Sequence, residues 1–330
     1  MWRKRGIGNR TLIGVAEGAP QESGAGKCRA VAGPRFHHTV PNPIMSEAGP
    51  SVPKVWFITG CSSGFGRALA EAALAAGDSV VAAARRQDVL AEWVARAPDR
   101  ALTLALDVTQ PRQVENAVLD AITRFGRLDV VVNNAGYGLL GAVEECDDAQ
   151  IRRCFETNFF GALNVIRAVL PCFREQRAGH LVNITAAAAI ANYPGFGAYG
   201  AAKAAVEALS ESVRAETALL GIKVTLVEPG PFRTEFIHRS LDRAANRLAD
   251  YDRTSGKFAA VLKAIDGKQP GDPARAAAAI VEMVRSGRAP FRMPLGRYMV
   301  KKLRDRGAEL NRAADEGEAV AVSADFPAGA

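Results

Sequence analysis

The 330-residue chain is 48% hydrophobic and 23% charged, which excludes an intrinsically disordered protein and predicts a globular one able to bury a large core without disulfides or metal. Its net charge of +7 would point to nucleic acid, but residues 1–44 hold seven basic residues (Arg3, Lys4, Arg5, Arg10, Lys27, Arg29, Arg35) against Glu17 and Glu22; no basic stripe marks the remainder, and no nucleic-acid partner is expected. Cys28, Cys61, Cys146, Cys154 and Cys172 lack CxxC spacing and the four histidines are scattered, so free thiols, a cytoplasmic setting and no metal site are expected.

In chain order, residues 1–45 come first, rich in Gly, Pro and charge and without sustained periodicity, which predicts an extension with no fold of its own. The basic start lacks the apolar core of a secretory signal and fits a transit peptide only weakly; no apolar run is long enough for a membrane span. From Lys54 the pattern alternates. VWFIT is a buried strand, GRALAEAALAAG a helix stopped at Gly77, SVVAAA a second strand, and DVLAEWVARA a helix ending before Pro98. ALTLAL, QVENAVLDAITRFG and LDVVVNNAG continue as strand, helix, strand. A long helix over 148–175 is expected, bent or interrupted near Pro171. HLVNIT and IKVTLVEPG read as strands five and six, separated by a long helix that ends at Gly221. Strands apolar throughout, each followed by a helix, predict a parallel sheet covered on both faces. Residues 231–270 are mixed and charged; Asp272-Pro273 then caps a clear helix, PFRMPLG adds a short last strand, and 301–330 form a charged helix and loose tail.

The first strand runs into Thr59-Gly60-Cys61-Ser62-Ser63-Gly64-Phe65-Gly66. Gly60 turns the chain, Gly64 lets backbone approach a pyrophosphate, and Gly66 lets the helix pack on the sheet, while the helix N-terminus offers free N–H groups to an anion. The second strand ends Ala84-Arg85-Arg86. A carboxylate that would hold two ribose hydroxyls is replaced by Ala84, and a guanidinium suits a 2′-phosphate, so NADP(H) is expected over NAD.

The ordered motifs TGCSSGFG at 59–66, Asp107-Val108, NNAG at 133–136, Asn158, Tyr199-Gly-Ala-Ala-Lys203 and Pro229-Gly230 make the chain resemble the short-chain dehydrogenase/reductases, in the branch of ketoreductases and of retinol and steroid dehydrogenases. The resemblance implies one doubly wound α/β domain over 46–300 with strand order 3-2-1-4-5-6-7, a substrate lid over 231–270, and a homodimer or homotetramer built on helices 148–175 and 200–220. Tyr199 and Lys203 share a helical face; the ammonium lowers the phenol's pKa so that Tyr199 exchanges a proton with a carbonyl oxygen or alcohol. By the same resemblance Lys203 also holds the ribose, Asn158 anchors a water, and Asn133, Asn134, Ala135 and Gly136 line the adenine ribose. Asp107 and Val108 meet the adenine, Pro229 and Gly230 shape the turn over the nicotinamide, and Thr234 touches its carboxamide.

One position departs from the family. The serine expected thirteen residues before the tyrosine is Ala186, preceded by Thr185. Loss of such a donor costs about 3–4 kcal/mol in the transition state. Three readings stay open: a slow enzyme, a role for the Thr185 hydroxyl, or an NADP-binding regulator or scaffold that no longer turns over. Tyr137, Leu139, Leu140, Tyr193, Phe196, Phe232 and Phe236 flank the motifs and imply an apolar carbonyl or alcohol, with Tyr193, Phe196 and Phe232 as the substrate wall.

Overall fold

The computed structural model describes residues 52–326; the expected extension at 1–45 and the end of the tail, 327–330, lie outside the described residues. Among the described residues there are nine strands: β1 (Val55–Thr59), β2 (Ser79–Ala84), β3 (Ala101–Ala105), β4 (Val130–Asn133), β5 (Gly138–Leu140), β6 (Gly179–Ile184), β7 (Ile222–Pro229), β8 (Leu241–Arg243) and β9 (Arg292–Leu295). Seven form one parallel sheet in the order β3-β2-β1-β4-β6-β7-β9. Counted among themselves, these seven have the expected 3-2-1-4-5-6-7 order. β5 and β8 are three-residue strands that pair in parallel with each other outside it, too short to leave a periodic signal in the sequence.

The helices are α1 (Gly64–Ala75), α2 (Ala91–Arg96), α3 (Pro111–Phe125), α4 (Asp148–Phe155), α5 (Gly161–Gln176), α6 (Ala187–Ile190), α7 (Gly197–Thr217), α8 (Phe236–Arg239), α9 (Lys257–Ile265), α10 (Pro273–Arg285) and α11 (Arg297–Ser323). One face of the sheet packs Trp56, Ile58 and Val132 against Leu69 and Ala73 of α1 and Ile280 of α10. The other packs Phe57, Val131 and Leu181 against Val118, Val165 and Val213 of α3, α5 and α7. Burial on both faces is why β1 and β4 contain no polar alternation. The strand order reverses between β1 and β4, and such a reversal opens a crevice at the carboxyl ends of the strands.

Two local expectations need correction. The long helix is interrupted by a π turn at Glu156–Phe160, between α4 and α5, and Pro171 lies within regular α5. Pro171 and Arg167, the residue four before it, are both exposed, so the carbonyl that the proline leaves without a donor is on the solvent side of the helix. The helix also starts on a firmer signal than expected: Asp147 is its N-cap, in a capping box with Gln150. Elsewhere the start of α10 follows its sequence, with Asp272 accepting from Ala274 N at 2.9 Å and Pro273 in the first turn. The last strand, β9, carries Pro294 at the edge of the sheet, where a missing N–H is tolerated. Among the described residues no helix is long and apolar enough to cross a membrane.

Candidate active site

Gly60 leaves β1 at φ 71°, a left-handed conformation that side chains other than glycine's rarely adopt. A Cβ on Gly66 would collide with the Gly60 carbonyl and the Asn134 amide, so this glycine sets how closely α1 meets the sheet. The Asn134 amide donates to Thr59 O at 2.9 Å and Gly60 O at 3.1 Å, and Thr59 Oγ1 accepts from the N–H groups of Asn134 and Ala135 at 3.0 Å each. Asn134 therefore splints the loop. Ser63, the N-cap of α1, makes no side-chain capping bond, which leaves the first N–H groups of the helix to a ligand. Cys61, the loop's thiol, is fully buried and pushed up to about 12 by burial, which makes it inert.

This loop forms one end of a cleft of about 1560 Å³ that also takes in Arg85, Asp107, Gly136, Tyr199, Lys203, Gly230 and Thr234. Of the residues that the sequence led us to expect at the cofactor or substrate, Gly66, Asn133, Leu139, Leu140 and Asn158 do not line it, whereas Ser62, Ser63, Phe65, Val108, Asn134, Ala135, Tyr193, Phe196, Pro229 and Phe232 join those above in its wall. Arg85 and Arg86 are exposed at its rim. The Asp107 carboxylate also caps its own turn, accepting from Thr109 N at 3.0 Å and Thr109 Oγ1 at 2.8 Å. Asn133 turns away from the cleft: its amide donates to Asn183 Oδ1 at 2.8 Å, inside the sheet.

Tyr199 and Lys203 are one turn apart on α7, both only 6% exposed. Lys203 Nζ donates to Ile184 O at the end of β6, 2.9 Å away. Burial pushes Lys203 down to about 8. Burial, and then the neighbouring Cys154 sulfur, push the Tyr199 phenol well above its ordinary value, so Tyr199 is a proton donor at neutral pH. A Cβ on Gly136 would sit 3.3 Å from Lys203 Nζ and against Asn158 Oδ1, which puts these three residues side by side. Asn158 lies in the π turn with its amide fully committed: it donates to Tyr137 O and Cys154 O, each at 2.9 Å, and accepts from Tyr137 N at 3.2 Å. The side chain is thus satisfied by backbone and holds the chain that follows Gly136.

Ala186 packs with Leu139, Leu140, Phe196 and Tyr199 in one apolar cluster, so this part of the site has a methyl group where the family resemblance led us to expect a hydroxyl. Thr185 is 2% exposed and its hydroxyl donates to Val227 O at 3.3 Å, on the neighbouring strand. Behind it Arg292 holds Glu207 at 2.8 Å, Glu211 at 3.1 Å and the fully buried Glu228. Burial raises the carboxyl groups of both Glu207 and Glu228. The sequence hid this cluster because its arginine comes from a four-residue edge strand, although Glu207 stands one turn beyond Lys203.

The substrate end is aromatic. Tyr199 meets Phe196 at 5.1 Å and Phe236 at 5.7 Å, while Tyr193 stacks on Phe258 of α9 at 5.0 Å. Tyr193 OH lies 2.5 Å from Tyr298 OH of α11, and Lys302 Nζ sits 3.6 Å from the Tyr193 ring centroid. Phe258 and Tyr298 line the cleft and were not expected there; only the apolar spacing on α9 could have signalled the first. Phe232 sits apart from this group, edge-on to Phe65 at 5.0 Å, so it borders the glycine loop and not the Tyr193–Phe196 wall.

A short chain dehydrogenase family model matches residues 54–245. Among curated proteins the chain is 38% identical to Oxidoreductase BOA17 of Botryotinia fuckeliana over 264 residues, 80% of this chain and 96% of that protein. It is 35% identical to a 3-ketodihydrosphingosine reductase of Bacteroides thetaiotaomicron over 247 residues, 74% of this chain and 88% of that protein. Among solved structures, a short-chain dehydrogenase from Streptomyces avermitilis is 42% identical with a TM-score of 0.78, covering 83% of this chain and all (100%) of that one. A short-chain dehydrogenase/reductase from Burkholderia phymatum in complex with NAD, 24% identical with a TM-score of 0.71 over 81% of this chain and 97% of that one, shares the fold.

Proposed function

Because the chain belongs to the short-chain dehydrogenase family and is an oxidoreductase, we propose that it interconverts a carbonyl and an alcohol on an apolar small molecule, using NADP(H). The observation that carries this reading is the buried Tyr199–Lys203 pair facing an aromatic wall at one end of a cleft whose other end is a glycine loop. A volume of about 1560 Å³ exceeds the roughly 300–1,000 Å³ of a single-ligand pocket and suits a dinucleotide with a substrate beside it. The residues fit that group: uncapped N–H groups at α1 for the pyrophosphate, exposed Arg85 and Arg86 for a 2′-phosphate, and Lys203 for the ribose.

When bound, the nicotinamide supplies or accepts a hydride at the carbonyl carbon. The chain supplies the rest. Tyr199 hydrogen-bonds the substrate oxygen and passes it a proton in reduction, or takes one in oxidation. Lys203 steadies the negative phenol oxygen that remains. Asn158 fixes the backbone at Tyr137 and so the width of the site. Phe196, Phe236 and Tyr193 exclude water and favour an apolar substrate, and the relative named as a 3-ketodihydrosphingosine reductase supports a ketone as the carbonyl form. NADPH oxidation over a panel of apolar aldehydes and ketones tests the proposal: turnover above background supports it, and binding without turnover on any member overturns it.

A second reading rests on Ala186. With a methyl at that position and the Thr185 hydroxyl given to Val227 O, the substrate oxygen has only Tyr199 as a side-chain donor, which favours an NADP-binding regulator or scaffold. We further propose assembly as a homodimer or homotetramer through α4–α5 and α7, whose subunit number light scattering measures directly.

A further inference from the structure

The helix α11 docks on α6 and β9 through its start, where Met299 is fully buried. From Gly307 to Ser323 every residue except the half-buried Gly317 is exposed, so most of a 27-residue rod, about 40 Å long, stands clear of the described residues. A free-standing helix of that length is marginal in water, and this one carries two glycines, which weaken a helix interior. A Cβ at Gly307 or Gly317 would meet nothing within 4 Å, so no contact among the described residues calls for glycine at either place. The helix is also charged against its own dipole. Arg297, Lys301, Lys302, Arg304 and Arg306 crowd its start, and Asp315, Glu316 and Glu318 its end, the reverse of what the aligned peptide dipoles favour.

Both oddities acquire a purpose beside an antiparallel second copy. Leu303, Gly307, Leu310, Ala314, Gly317 and Ala321 recur at alternating steps of four and three, an uncharged seam with the period of a two-stranded coiled coil. Antiparallel pairing of this seam with itself sets Leu303 against Ala321 of the second copy, Gly307 against its Gly317 and Leu310 against its Ala314. Each leucine meets a small residue and each glycine a glycine, so the two helices can approach closely. The same register brings Arg304, which flanks the seam, beside Glu318 of the second copy, and symmetry repeats the pair. Lys301 pairs with Asp305 and Arg306 with Glu309 inside the helix, whereas Arg304 and Glu318 form no ion pair among the described residues. A parallel pairing would set leucine on leucine, leave Arg304 and Glu318 apart, and bring both protein bodies to the same end.

We propose that α11 is an association arm, by which two copies of this chain pair antiparallel along this seam, separately from the α4–α5 and α7 faces. Chemical cross-linking of the full chain reads this contact whatever other faces assemble. Asn311 flanks the middle of the seam, so Asn311→Cys in one copy is joined to the same position in the other by a short bismaleimide, well above the level that the native thiols give. Added to that substitution, Arg304→Glu weakens pairing about tenfold, read as a rise in the protein concentration needed for half-maximal linking. Glu318→Arg does the same. The two together restore the native level, because the charge pair is only reversed, and so does mixing the two single variants. A misfolded variant would not be rescued in this way. The inference falls if Asn311→Cys links no copies, as when another protein or another segment covers α11. It falls equally if linking ignores Arg304→Glu, or if reversing both charges fails to restore it. Each of these results leaves the cofactor reading standing.

Discussion

Lys203 Nζ and the Ile184 carbonyl are joined by a 2.9 Å hydrogen bond that ties the middle of α7 to the end of β6, one residue before Thr185. Burial holds this lysine near 8, so its charge is present at neutral pH and is lost as pH rises through that value. Tyr199 stays protonated over the same range. For carbonyl reduction, kcat/KM is expected to be level near neutrality and to fall above pH about 8 as the ammonium disappears. Lys203→Met should give a low, flat profile. A native profile that is flat through that pH would remove Lys203 from the titrating machinery.

Restoring a hydroxyl at Ala186 tests the departure from the family pattern. Ala186→Ser should raise kcat by roughly a hundred- to a thousand-fold if the rest of the site is competent, with little change in NADPH binding. Thr185→Val should leave turnover within about twofold and lower stability by about 1 kcal/mol, because its hydroxyl is already engaged by Val227 O. Strong loss of turnover in Thr185→Val would assign the donor role to the threonine.

Asn158→Ala should lower stability by about 3 kcal/mol in urea unfolding, since it strands the Tyr137 N–H and the carbonyl groups of Tyr137 and Cys154 together. A change below about 0.5 kcal/mol would mean that water replaces the amide at no cost.

Arg292→Met leaves Glu207 and Glu228 buried without their cation, and a loss of about 3–5 kcal/mol is expected at neutral pH. Burial already raises both carboxyl groups in the folded state, so the fold takes up protons that the unfolded chain does not hold. Stability of the variant should therefore fall as pH rises from the ordinary carboxylate range toward neutrality and recover in mild acid. Unfolding curves at two pH values check the sign; a loss independent of pH would show that the arginine acts through packing.

The sheet was readable because its strands are buried on both faces and so lack alternation, and the glycine loop because three glycines each meet a steric demand. The same kind of reasoning misjudged α4–α5. Proline at 171 is a loud signal, but the helix is not interrupted there, whereas it is interrupted by the π turn at Asn158, whose side chain bonds Tyr137, a residue twenty-one positions earlier. Phe232 was assigned to the wrong group of neighbours because a single aromatic residue after Pro229-Gly230 carries no information on whether it turns toward the loop or the substrate.

The pairing of β5 with β8 bears on how molecules enter. Gly138 N donates to Ser240 O and Ala244 N to Leu140 O, each at 2.8 Å, while the other end of the same segment is laced to residues 231–233 through Gly271. The stretch between is riveted along its first half as well: Ala245 N donates to Gln150 Oε1 at 2.9 Å, Leu248 N to Glu145 Oε1 at 3.0 Å and Tyr251 OH to Glu144 at 2.6 Å. What is left to yield to a larger guest is α9, whose Phe258 rests on Tyr193 by ring stacking.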